Sequence, residues 1–157
     1  MTIPGVKQRT AEVLIAEIGV DMTTFPTAKH LASWAGVCPG NDKSAGKRRS
    51  GRQRKGSKWL RATLTEASLA ATKTKNSYLA AQYQRLRGRR GHNKAVAAVS
   101  HSILTAAWHM LHNGELYRDL GSDYFTRQNP DRLTKRLVRQ LEALGHSVTL
   151  EPREVAA

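Results

Sequence analysis

The stretch HNKAVAAVSHSILTAAWHMLHNG, residues 92–114, constrains this chain more than any other. Its apolar residues Val96, Val99, Ile103, Ala107, Met110 and Leu111 recur in steps of three and four, the period of one helix face. Asn113-Gly114 gives it a C-terminal stop. It is the most apolar segment of the chain, and a helix of this kind is expected at the centre, covered by other helices.

The neighbouring segments supply those helices. TAEVLIAEIG carries Ala11, Val13, Leu14, Ile15 and Ile18 and stops at Gly19, a short helix. FPTAKHLASWAG opens at Pro26 or Thr27 and closes at Gly36. Ser57 reads as the N-cap of SKWLRATLTEASLAATKTK, whose stripe is Trp59, Leu60, Thr63, Leu64, Ala67 and Ala71. SYLAAQYQRLRG places Tyr78, Leu79, Tyr83 and Leu86 on one face. NPDRLTKRLVRQLEALGH has Asn129 as cap, Pro130 at the first position and Gly145 as stop, and SVTLEPREVAA follows as a frayed tail. No run alternates as strands do. The expected fold is all-α: a short helix-hairpin-helix-like start, a long basic glycine-rich loop, then a bundle of about four helices. The expected division is residues 1–115 and 116–157. With 157 residues and 39% apolar content, one ordinary core can form.

Charge is concentrated rather than spread. Residues 43–94 hold sixteen Lys/Arg and one acid, Glu66, whereas the rest of the chain holds ten Lys/Arg and eleven acids. A local basic field of this kind suits a polyanion. Within it, the stretch from Val37 to Gly56 has almost no apolar content and contains Gly40, Gly46, Gly51 and Gly56. A loop of such length in a compact domain is functional or disordered. Its two ends are anchored by helices, and it runs into a helix N-terminus, where free N–H groups favour a phosphate. Lys43, Lys47, Arg48, Arg49, Arg52, Arg54, Lys55, Lys58 and Arg61 are the candidate phosphate contacts, joined by Arg89 and Arg90 with the adjacent His92.

Ser44 stands among Lys43, Lys47, Arg48 and Arg49. A serine attacking a phosphodiester needs the charge that develops on phosphate neutralised, and these cations would supply that. Any base or metal is expected from outside the loop. IPGVKQRTAEVLIAEIG resembles the second half of a helix-hairpin-helix, in which a Pro-Gly turn offers backbone N–H groups to DNA. Gly5 is therefore a candidate contact, although Lys7 stands where a second glycine is usual. His101, His109 and His112 share a helix but lack the spacing of a tight metal site, so no metal ligand is assigned. No segment reads as a signal peptide or membrane span. The single Cys38 suits a reducing compartment, hence the cytoplasm.

In this order, IPGVKQRTAEVLIAEIG, FPTAKHLASWAGVCPGNDKSAGKRRSGRQRKGSKWLRATLTEAS and YLAAQYQRLRGRRGHNKAVAAVSHSILTAAWHML resemble the C-terminal domain of the insertion-sequence-110/116/902 transposases. The likeness runs over roughly residues 3–115. The matching features are Pro4-Gly5, Ala35-Gly36 with Pro39, Ser44 five residues later, Lys55-Gly56 with Ser57, and Leu60-Arg61. The glycine after Ser44 comes one residue later than is common in that family.

The resemblance implies that Ser44 is the nucleophile. It would become covalently attached to a DNA strand during transposition. It further implies a structured guide RNA, a homo-oligomeric full-length protein, and a RuvC-like domain with four acidic residues that bind Mg²⁺. No such acidic domain is found in this sequence. The expectation is a truncated reading frame or an excised domain, inactive alone and without a cofactor of its own. The rival expectation is a non-catalytic nucleic-acid-binding module with an inert serine, or the product of a degenerate gene.

Overall fold

A computed structural model describes residues 2–38, 42–50 and 55–151, with backbone alone for 42–44 and 48–50. The fold is helical, as the periodicity requires. Its elements are α1 (Gln8–Ile18), a 3₁₀ turn (Met22–Thr24), α2 (Ala28–Trp34), β1 (Asp42–Ser44), β2 (Lys47–Ser50), α3 (Lys58–Ala71), α4 (Tyr78–Arg90), α5 (His92–Asn113), α6 (Tyr124–Arg127) and α7 (Pro130–Ala143). The chain divides into two compact units, residues 1–122 and 123–157.

In the first unit α5 is the axis. Helices α2, α3 and α4 all pack on it, and α1 packs on α3. Its buried face is Ala95, Val96, Val99, Ser100, Ile103, Leu104, Ala107 and Trp108. Leu31 from α2, Leu60 and Leu64 from α3, and Leu79 from α4 close over that face, all nearly inaccessible. Two hydroxyls enter this core paired. Ser68 Oγ lies 2.8 Å from Ser100 Oγ, and both reach the Leu64 carbonyl. The Trp108 indole N–H donates to the Phe25 carbonyl at 2.9 Å, tying α5 to the 3₁₀ turn. These hydroxyls and the indole N–H are thus matched at the helix crossings, whereas Gln82 Oε1 and Thr105 Oγ1 are buried without a partner among the described residues.

The helix ends follow the local chemistry. Thr27 and Ser57 cap α2 and α3 through bonds to the backbone N–H groups of His30 and Leu60, and Ser77 caps α4. Gly114 takes the left-handed conformation after α5. Asn129 occupies the cap position of α7, with Pro130 in the first turn, but its side chain makes no capping bond. After α5, Asp119 Oδ1 accepts from the Tyr78 N–H at 2.8 Å and Tyr117 N donates to Thr2 Oγ1 at 3.1 Å. These bonds hold residues 117–119 against the rest of the first unit.

Two side chains expected on buried stripes are exposed. Trp59 is 77% exposed and Ile15 41% exposed. Each lies next to a residue that takes the core position instead, Leu60 and Leu14.

The second unit is built around α7. Helix α7 has no buried residue, and Leu137, Leu141 and Leu144 stay exposed on it. Among the described residues, no helix is long and apolar enough to cross a membrane.

Candidate nucleic-acid interface

The basic segment is not all loop. β1 and β2 form an antiparallel hairpin in which Ser44 is paired by Cα register with Lys47, and Lys43 with Arg48. The next pair is Asp42 with Ser50, so Arg49 is an extra residue on β2 and the ladder bulges there. The turn is Ala45-Gly46, with φ of 49° and 74°. Positive φ at both central residues is what a type I′ hairpin demands, and it matches the twist of the strands. The late glycine of the Ser-Ala-Gly sequence is explained by this turn, because Gly46 fills the second left-handed position. Ser44 is therefore the last strand residue before the turn. The hairpin was not legible from hydrophobic alternation, since its strands read DKS and KRRS.

The hairpin lies between α2 and α3 in the chain, and Gly56 and Ser57, just before α3, are tightly packed. A Cβ on Gly56 would collide with the Ala35 carbonyl and stand 2.8 Å from Gly36 N. Ser57 Oγ accepts from Leu60 N at 3.2 Å and donates to Glu17 Oε2 at 2.7 Å. The N-terminus of α3 is thus partly occupied by the protein's own hydroxyl and carboxylate. Glu17, forty residues away in sequence, is a contact that local reading could not find.

The cations distribute as follows. Lys47, Lys55 and Lys58 are exposed, and Arg61 is half-buried on α3. Lys43, Arg48 and Arg49 lie in the two strands, while Arg52 and Arg54 fall outside the described residues. Arg89 and Arg90 are exposed in the last turn of α4, where cations also suit the helix dipole. His92 begins α5, and its Nδ1 shares a 2.8 Å hydrogen bond with the Tyr83 hydroxyl. The Tyr83 ring lies edge-on to His92 and has the Arg87 guanidinium 6.0 Å from its centroid. This cluster fixes the α4–α5 corner that carries Arg89 and Arg90.

Gly5 has a packing reason of its own. Its φ is +80°, and a Cβ there would overlap the Ala67 carbonyl and lie 2.6 Å from Ala71 N. The Pro4-Gly5 turn is closed by Val6 N to Ile3 O at 3.1 Å and sits on α3. Asp42 stands two residues before Ser44 on β1.

Two of the α5 histidines lie against Trp108. His112 stacks on it at 4.4 Å, and His109 meets it edge-on at 4.9 Å. Among the described residues no three His, Cys, Asp or Glu side chains converge as a metal site requires. Cys38 is a free, half-buried thiol.

Residues 1–84 match the Transposase IS116/IS110/IS902 family. Over 121 residues the chain is 36% identical to the insertion element IS110 uncharacterized 43.6 kDa protein of Streptomyces coelicolor. That alignment covers 74% of this chain and 29% of the relative, so the chain spans less than a third of that protein's length. No solved structure matches the chain.

Proposed function

We propose that this chain, which belongs to the transposase IS116/IS110/IS902 family, grips DNA through its basic hairpin and carries the serine that attacks the strand. The observation that carries this reading is the position of Ser44 at the turn of a cationic hairpin, inside the segment matched by the family. The Ser44 Oγ gives up its proton to solvent and bonds to a DNA phosphorus; the P–O bond to the strand breaks, and the departing strand oxygen takes up a proton as a free hydroxyl. The serine–phosphate ester that remains is later displaced by the hydroxyl of a second strand, which returns a proton to Ser44. Lys43, Lys47, Arg48 and Arg49 neutralise the charge that builds on the phosphate oxygens. Lys55, Lys58, Arg61, Arg89 and Arg90, with Arg52 and Arg54, hold the flanking backbone, and the Pro4-Gly5 turn adds a phosphate contact.

In this reading the acidic RuvC-like domain supplies the Mg²⁺ chemistry, and no step of it is assigned to residues of this chain. A structured guide RNA chooses the DNA, a homo-oligomer brings the strands together, and the reaction takes place in the cytoplasm.

The test is a covalent adduct. Combined with the RuvC-like domain, guide RNA and Mg²⁺, the protein should yield a protein–DNA species that survives denaturation. Ser44→Ala should abolish it while leaving DNA binding nearly intact, because no charge is lost. Ser50→Ala and Ser57→Ala should retain it. An adduct that persists in Ser44→Ala assigns the nucleophile elsewhere. Failure of any adduct to form in the complete system favours a purely binding module.

A further inference from the structure

The end of α2 and the start of α3 carry aromatic surface that the core leaves exposed. Trp59 is in the first turn of α3 with its side chain 77% exposed, the most exposed large apolar residue described. Trp34 ends α2 and is 47% exposed, leaning on the buried Phe25 ring at 5.3 Å. The packing of Gly56 on Ala35 brings these two helix ends to one edge of the first unit. The same edge carries exposed Lys55 and Lys58.

An exposed tryptophan costs solvation and adds nothing to a core. With Lys55 and Lys58 just before it in the chain, it has the composition of a surface that holds unpaired nucleotides: cations for the backbone and a flat ring for a base. A duplex buries its base faces in its own stack, so an exposed ring finds no such partner there. A peptide partner centred on Trp59 would have to cover the adjacent Lys58, and charged side chains are depleted at the centre of protein contacts.

We infer that Trp59 is a stacking platform for an unpaired nucleobase of a strand whose phosphates are held by Lys55 and Lys58. This rests on the DNA-gripping reading above and adds to it a preference for single-stranded chain at the α2–α3 edge. The shared chemistry is the base ring and phosphate, which an opened DNA strand and a single-stranded RNA both offer.

The experiment titrates the full chain with oligo(dT), oligo(U) and a duplex of equal length at fixed salt. Tryptophan emission and anisotropy of the labelled nucleic acid are both read. Oligo(dT) or oligo(U) should quench the emission of the wild type, and Trp59→Ala should remove most of that quench. Trp59→Ala should weaken the quenching strand by roughly 5- to 150-fold, the range of one lost stacked base. Duplex affinity should change less than about twofold, and Trp59→Phe should recover most of the loss. The strand that loses more identifies the source of the base. Because Trp59 is exposed, helical circular dichroism should be unchanged in both variants. Equal losses for duplex and single strand, or no loss for either, overturn the platform while leaving duplex gripping in place. Absence of wild-type binding to any of the three nucleic acids overturns the gripping reading and the platform with it.

Discussion

Ser57 Oγ sits 2.7 Å from the Glu17 carboxylate while accepting the Leu60 N–H at 3.2 Å, so one hydroxyl joins the end of α1 to the start of α3. Removing it should cost about 1 kcal/mol as a lost cap. Glu17→Gln keeps a hydrogen-bond acceptor and should cost less than Ser57→Ala. Chemical denaturation of the two single variants and the double variant checks this. Coupling between the sites is expected, because they share one bond.

Gly56 and Gly5 are required by neighbours rather than by flexibility alone. Gly56→Ala places a methyl against the Ala35 carbonyl, which is backbone and cannot swing away. Overpacking of this kind costs about 1–3 kcal/mol. Gly5→Ala adds a left-handed φ of +80° to a similar overlap with Ala67, so it should be the more damaging of the two. Melting temperatures should fall in that order. Gly46→Ala meets nothing within 4 Å and carries only the backbone penalty of its φ of +74°.

The axis helix gives a sharper check. Ile103 is fully buried on α5, and Ile103→Ala should cost about 2–5 kcal/mol. Val96→Asp would bury a carboxylate without a partner and should leave the protein insoluble or unfolded. A soluble, helical Val96→Asp protein would place the core on another face.

The helices could be read from the chain because each is a local object. Thr27 and Ser57 mark helix starts through bonds to N–H groups three residues on, Gly114 marks an end by its left-handed backbone, and the α5 stripe repeats with the helical period. Trp59 and Ile15 were misread because they adjoin Leu60 and Leu14, and a stripe one residue wider includes both. The hairpin escaped because DKS and KRRS contain no apolar residue whose alternation could reveal a strand. Glu17 and Asp119 act over forty and forty-one residues, where no local period operates. Of the candidate interface, the cations were visible as charge, but the turn that places Ser44 beside Lys47 depends on the Ala45-Gly46 backbone.

His101 is half-buried on α5, and desolvation lowers its pKa below the ordinary 6.5. The unfolded chain therefore binds a proton more readily than the fold does. This histidine's contribution to stability is complete above about pH 6.5 and is lost as pH falls from there through the depressed folded value. His101→Gln should flatten the acid limb of a plot of stability against pH while leaving the neutral region nearly level. An acid limb unchanged in the variant would assign the proton uptake to other groups.

Salt dependence separates a working cationic hairpin from a merely solvated one. Each phosphate neutralised on duplex DNA contributes about 0.9 to the log–log slope of affinity against salt. Arg48, Arg49, Arg52 and Arg54 fall within eight consecutive positions, 48–55, that carry five of the chain's basic residues. Replacing those four by alanine should flatten the slope by up to about 3.6 and weaken binding most at low salt. Replacing Arg132, Lys135, Arg136 and Arg139 on α7 removes the same formal charge from the second unit. That control should change the slope far less, because those cations lie outside the segment with the excess charge. Equal slopes for wild type and the hairpin variant would move the DNA-binding face away from β1 and β2. Equal losses from the two sets would mean that net charge alone, and not the hairpin, governs association.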